Sequence, residues 1–172
     1  ALLTPLFAIL NKSKIEKQDN IDFSVLTASN TSIKGASFNS QTNKEDYVLI
    51  VQLKDPIYKY NQECGPRGTK SKIDLMRAYE KDAQCKGVVL DIDSGGGQVS
   101  GTPEFHDFIK EYSKPVVAYT DGYMCSAAYY IGSAADHIIA NKRADKIGSI
   151  GTMISFLDLT GYYEKKGAKM IT

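Results

Sequence analysis

The sequence predicts an α/β domain with a mostly parallel sheet flanked by helices. Short runs rich in β-branched and aromatic residues alternate with segments of helical spacing, which is typical of β-α-β architecture. The first run, 47–53, is apolar enough for a buried strand. The 172 residues, 42% hydrophobic and 24% charged, are sufficient for one globular domain and at most a small appendage.

The chain divides into an N-terminal part and a core. Residues 1–12 predict a short amphipathic helix. Residues 13–46 are polar with weak periodicity, so we expect an irregular arm that is available for oligomerisation. The core is expected over residues 47–172.

Within the core, β-branched runs predict strands and three- to four-residue apolar spacing predicts helices. The predicted strands are 47–53, 87–93, 115–120 and 137–140, and the predicted helices are 70–84, 102–112, 126–135 and 158–167. Thr102 and Pro103 fit the start of the second helix, as its cap and its first turn. Residues 148–154 predict a tight turn into an apolar strand, and 169–172 predict the start of another.

Composition excludes several classes of function. The net charge is +1, from 21 basic and 20 acidic residues, so nothing predicts binding to nucleic acid or an anionic membrane. The sequence has an odd number of cysteines without CxxC spacing: Cys64, Cys85 and Cys125. This pattern predicts neither a disulfide framework nor a zinc site. We therefore expect a reducing, cytoplasmic location. No run approaches the ~18 apolar residues of a membrane span; an anchor outside this sequence would make the protein membrane-associated instead.

A glycine-rich segment follows the second predicted strand. It reads Ser94-Gly95-Gly96-Gly97, and bare backbone N–H groups at such a position hold a phosphate or an oxyanion. A P-loop is excluded because no Gly-Lys-Ser/Thr follows. A dinucleotide fingerprint fits poorly, because these glycines are contiguous rather than spaced.

Ser126 is the candidate nucleophile. It follows a predicted strand and turn and opens a helix of small residues, which is favourable geometry for an exposed hydroxyl. The N–H of Ala127 would lie beside it. Together with an amide of Gly96 or Gly97, that N–H would form a two-donor oxyanion hole.

Three motifs in this order resemble the signal peptide peptidase A family, within the wider Clp protease/crotonase fold. They are Ser94–Gly97, the stretch from Cys125 to Asp136, and Gly148-Ser149-Ile150-Gly151. The match covers roughly residues 47–172. Gly95 departs from the family, which usually has proline there.

Residues in the second motif and after the third favour one branch of that family. The Ser-Ala-Ala sequence at 126–128, followed by Leu157-Asp158 and Gly161, is most similar to the phage and prophage capsid-maturation proteases. The resemblance implies a serine endopeptidase that assembles into homo-oligomeric rings and binds peptide or protein substrates in extended form. It implies no metal and no organic cofactor.

The family resemblance also implies a Ser–Lys dyad. By the family's spacing the general-base lysine falls just past Thr172, so the core is truncated before it. Ser149 would help to orient the base, or would cap its own turn. A crotonase-like acyl-CoA enzyme and a non-catalytic assembly subunit with the same fold remain alternative interpretations.

Other residues have competing interpretations. Ser126 could be a small packing residue, and Cys125 an alternative nucleophile, because thiols are easier to activate. His137 is the base that a Ser-His-Asp triad would need, but its position favours a structural strand end. We expect His106 to be a partly exposed surface residue. We expect Asp91 and Asp93 to form a polar strand end.

Overall fold

The computed structural model describes residues 23–54, 56–151 and 155–169. The strands are β1 (Phe23–Thr27), β2 (Ser32–Lys34), β3 (Tyr47–Lys54), β4 (Cys85–Ser94), β5 (Val116–Cys125), β6 (His137–Ala140) and β7 (Lys146–Gly148). The helices are α1 (Thr69–Glu80), α2 (Thr102–Lys110), α3 (Ala127–Gly132) and α4 (Thr160–Lys165), and a short 3-10 helix spans Gly35–Ser37.

The described strands form one sheet in the order β2-β1-β3-β4-β5-β6, with β7 also beside β5. The pairs from β3 to β6 are parallel, as is β5 with β7, whereas β1 and β2 are antiparallel. Helices connect the parallel strands. The predicted α/β fold with a mostly parallel sheet flanked by helices is therefore confirmed.

The prediction of an irregular arm is wrong at Phe23–Thr27 and Ser32–Lys34, which are strands. β1 pairs with β3, placing Val25 opposite Leu49, and β2 pairs with β1. Val25 and Leu26 are buried. A five-residue strand that contains Ser24 and Thr27 carries little local signal, because its stability comes from pairing with the edge of β3. The predicted helix over 1–12 lies outside the described residues.

The main core lies between the sheet and helices α1 to α3. Met76 of α1, Phe105 of α2 and Ile131 of α3 are fully buried against sheet residues such as Leu90 and Ile92. Burying each of these side chains is worth about 1.5–3 kcal/mol. A smaller cluster occupies the other face of the sheet and contains Leu26, Val48, Ile50, Val89 and Val117.

Most of these elements differ from their predicted bounds by a few residues. β5 continues through the predicted turn at 121–123 as far as Cys125. Gly101 precedes α2 in left-handed conformation, and the Thr102 hydroxyl donates to the Gln98 carbonyl instead of capping the helix. α4 has no buried residue. Among the residues that the structure describes, no helix has the length and apolar character needed to cross a bilayer.

Candidate active site

The two predicted site segments lie side by side at one edge of the sheet. β4 and β5 are parallel neighbours, so their carboxyl ends meet there. β4 ends at Ser94 and leads into the three glycines, while β5 ends at Cys125 and leads into Ser126. The sheet thereby joins residues that are about thirty positions apart in the chain, at the place where this architecture forms ligand sites.

Gly96 makes the closest approach between these segments. Its φ is +105°, and a Cβ built there would lie 2.8 Å from the Cβ of Ser126 and 3.1 Å from the backbone nitrogen of Ala127. Those distances leave no room for a side chain. Glycine is required because the backbone of the loop lies directly against the candidate nucleophile.

Ser126 has a backbone conformation that non-glycine residues rarely adopt. Its φ is 53° and its ψ is −123°, which costs of the order of 1–3 kcal/mol in a non-glycine residue. Two hydrogen bonds hold it: its N–H donates to the Gly148 carbonyl at 2.9 Å, and its carbonyl accepts from the Tyr130 N–H at 2.9 Å. Ser126 itself is half-buried. Such strain at a strand-to-helix junction is a feature of nucleophile elbows in hydrolases.

The amide of Gly96 is already engaged. It donates to the Ser94 hydroxyl oxygen at 3.1 Å, so it fixes the bend of the loop. Of the two glycine amides that the sequence suggests as oxyanion donors, the Gly96 amide is therefore bonded within the loop itself.

The amide of Gly97 faces a different way. Gly97 forms a parallel bridge with Ile57, in which the Ile57 N–H donates to the Gly96 carbonyl at 3.0 Å and the Gln98 N–H donates to the Ile57 carbonyl at 2.8 Å. The N–H and C=O of Gly97 consequently face the opposite edge. Ile57 follows β3, so that opposite edge lies towards β5 and Ser126.

Ala127 supplies a second amide beside Ser126. It is the first residue of α3, and the first N–H groups of a helix have no partner within the helix. The position that a Gly96 Cβ would take is 3.1 Å from this nitrogen. The start of α3 and the glycine loop are therefore in direct contact.

The third motif supports Ser126 from the other side. β7 pairs with the end of β5, where Gly148 lies opposite Cys125. Ser149 follows with a φ of 55° and is exposed. The structure places Ser149 one residue from the carbonyl that binds the Ser126 N–H, and its role in orienting a base stays a prediction.

The other candidate residues have contacts of their own. Cys125 is 5% exposed and its thiol donates to the Lys146 carbonyl, as expected for a packing residue. His137 is opposite Val117 at the start of β5. The β4 partners of Val117 and Met124 are Val89 and Ser94, so His137 lies roughly 20 Å from Ser126 along the sheet. The His106 ring packs against the Tyr130 ring, with centroids 4.6 Å apart. Its Nδ1 lies 3.0 Å from Oδ1 of Asp107, the next residue.

Sequence reasoning missed two residues that shape the site. The Ser94 hydroxyl holds the glycine bend, and Ile57 holds the outer edge of the loop. Ser94 had a local signal, since a serine before a turn commonly bonds to a backbone N–H two residues on. Ile57 had none, because it lies in a segment that looks like a loop in the sequence.

Comparison with known proteins shows the same family resemblance. Residues 109–172 match peptidase family S49. The chain is 35% identical over 133 residues to a predicted protease of Methanocaldococcus jannaschii, covering 73% of this chain and 42% of that protein. It is 31% identical over 108 residues to the capsid assembly protease C of Escherichia phage lambda, covering 62% of this chain and 24% of that protein. The resemblance predicted from the motifs is confirmed.

The chain spans less than half the length of these curated relatives. Among solved structures, ClpP1 from Listeria monocytogenes resembles it with a TM-score of 0.40 and 24% identity, over 50% of this chain and 46% of that one. This overlap covers only about half of each chain. The fold of this protein is defined by its own strand order.

Proposed function

We propose that this chain, whose residues 109–172 match peptidase family S49, forms the nucleophile-bearing core of a serine endopeptidase. The observation that carries the proposal is the strained, half-buried Ser126 in contact with a glycine loop. Strain of this kind persists only where the surrounding structure enforces it, and it concentrates at functional sites.

The proposed chemistry is acyl transfer. The Ser126 hydroxyl oxygen attacks the carbonyl carbon of a peptide bond and forms a tetrahedral intermediate, whose oxyanion accepts hydrogen bonds from the amides of Gly97 and Ala127. The intermediate collapses to an acyl-enzyme and the peptide amine leaves. Water then hydrolyses the ester. Each oxyanion donor is worth about 3–4 kcal/mol in the transition state.

The proton needs a general base, which we propose to be a lysine that follows Thr172 in the full protein. It removes the Ser126 proton during attack and returns it to the leaving amine. A lysine can do this only if burial and its neighbours lower its pKa. Ser149 would help to orient it. This assignment follows the family's spacing.

Substrate and assembly follow from the same interpretation. The glycine loop and a neighbouring strand edge bind the substrate in extended form by strand addition. The relative from phage lambda is a capsid assembly protease, so we propose a prophage head-maturation role, in the cytoplasm and within a homo-oligomeric ring. A signal-peptide hydrolase tethered to a membrane is the alternative.

The experiment uses the protein from the full open reading frame. A fluorophosphonate probe should label it at one site, and Ser126→Ala should abolish labelling, because the probe captures an activated serine hydroxyl. Ser133→Ala is a matched control, since that hydroxyl donates to the Tyr130 carbonyl at the end of α3, away from the reacting atoms. Cys125→Ser should also retain labelling.

The outcomes separate the competing functions. Loss of casein cleavage and of self-processing in Ser126→Ala, with normal folding, supports the peptidase. Binding of acyl-CoA without any probe labelling would instead indicate a crotonase-like enzyme. A full protein that lacks a downstream lysine, and that neither reacts nor cleaves, would indicate a non-catalytic assembly subunit.

A further inference from the structure

We infer that Asp93 is a positioning residue for Ser126, acting through an irregular part of β5; this inference depends on the proposed nucleophilic role of Ser126. From sequence, Asp93 was expected to be only a polar strand end. The structure places its carboxylate at the joint between the strand that carries the glycine loop and the strand that carries the nucleophile.

The pairing of β4 with β5 is irregular at this joint. Ile92 is opposite Thr120, but Ser94 is opposite Met124. A single residue of β4, Asp93, thus faces three residues of β5, at 121–123. The extra length of β5 breaks the regular ladder of backbone hydrogen bonds, so the backbone groups of this segment need other partners.

The Asp93 side chain supplies one of these partners. Its Oδ1 accepts a hydrogen bond from the Tyr123 N–H at 3.0 Å. Gly122 lies against the same carboxylate: a Cβ at Gly122 would overlap Oδ1 and lie 2.8 Å from Cγ. A glycine is thus needed at this position for the carboxylate to reach the Tyr123 amide.

Other bonds hold the rest of this segment. The Gly122 N–H donates to the Thr120 hydroxyl at 3.3 Å, and the Gly122 carbonyl accepts from the Asp145 N–H at 3.0 Å. Tyr123 pairs with Lys146 of β7. The Asp93 carboxylate is the contact that ties this segment across to β4.

Asp93 is linked to both halves of the site. It directly precedes Ser94, whose hydroxyl holds the Gly96 amide, and it binds Tyr123, which lies three residues before Ser126. A shift of the irregular segment relative to β4 would therefore change the spacing between the nucleophile and the oxyanion donors. Displacements of about 1 Å at such a site are enough to slow a reaction a hundredfold.

The test measures fluorophosphonate labelling of the full-length protein, with the maximal rate constant and the half-saturating concentration determined separately. For Asp93→Ala we expect the maximal rate constant to fall about three- to tenfold, because one exposed, charge-assisted hydrogen bond is lost. The half-saturating concentration should not change. Asp93→Asn should stay within about twofold of wild type, because its amide oxygen still accepts from the Tyr123 N–H.

Asp121→Ala is the matched control, since it removes a carboxylate from the irregular segment that faces Asp93 while the bond to Tyr123 remains. Urea unfolding of each variant separates positioning from stability. If Asp93→Ala lowers only the unfolding midpoint, or if Asp121→Ala and Asp93→Asn slow labelling equally, the inference is overturned.

A second measurement does not depend on catalysis. Amide hydrogen exchange over residues 121–127 should become faster in Asp93→Ala and stay near the wild-type rate in Asp93→Asn. Unchanged exchange would refute the inference even in a protein that no probe labels. A wild-type protein that is not labelled, but whose exchange responds as expected, would refute the proposed function and leave the role of Asp93 in place.

Discussion

Gly96→Ala tests whether the contact between the glycine loop and Ser126 is essential. The new methyl group would lie 2.8 Å from the Ser126 Cβ and 3.0 Å from the Cys125 carbonyl oxygen. These are backbone and first side-chain atoms, so they cannot move aside cheaply. Either the loop or the nucleophile must shift.

Two terms set the size of the effect. A non-glycine residue at a φ of +105° costs about 1–3 kcal/mol. Overpacking of a tight contact adds about 1–3 kcal/mol. If the loop retreats to relieve the strain, the Gly97 amide moves away from the oxyanion, and the loss of one donor slows the reaction by about a hundredfold or more.

The assay is fluorophosphonate labelling of the full-length protein, accompanied by urea unfolding. Gly95→Ala is the matched control, because no described atom lies within 4 Å of a Cβ at Gly95 and its φ is not in the left-handed region. We expect Gly95→Ala to label at nearly the wild-type rate. Equal labelling rates for the two variants would refute the proposed contact between loop and nucleophile.

Two further predictions concern neighbouring groups. Gly97→Ala should slow labelling at least tenfold and destabilise the protein by about 1–3 kcal/mol, because its Cβ would overlap the Ile57 carbonyl oxygen and break the bridge; wild-type labelling would contradict this. Burial raises the pKa of Asp91 despite its 2.8 Å pair with Lys54. The folded state therefore holds this proton to higher pH than the unfolded state, and its stabilising contribution is lost as pH rises through the raised pKa. Urea unfolding between about pH 4 and 8 should show a smaller fall in stability for Asp91→Asn; an identical pH dependence would contradict the assignment.

Much of the site could be predicted because its parts are local. Glycines after a strand and a serine before a run of small residues are visible as short patterns in the sequence. The structure then brings Gly96 into contact with Ser126, as the interpretation required. His137 could be set aside from its position in the sequence, and its location on β6, opposite the start of β5 and far from Ser126, agrees.

The features that the sequence did not predict, or left open, depend on contacts between distant segments. β1 could not be found from its own five residues, because its pairing with the edge of β3 provides its stability. The choice between the Gly96 and Gly97 amides also stayed open. It depends on Ser94 binding one amide and on Ile57 binding the outer edge of the loop.

The sequence by itself determined the alternation of strands and helices, the order of the three motifs and the identity of the candidate nucleophile, because each of these is a pattern among near neighbours. Only the tertiary structure showed that the Gly96 amide binds the Ser94 hydroxyl and that the Asp93 carboxylate ties β4 to β5. Those features arise where parallel strands meet edge to edge, and hydrogen bonds across that edge join residues whose separation in the chain leaves no local trace.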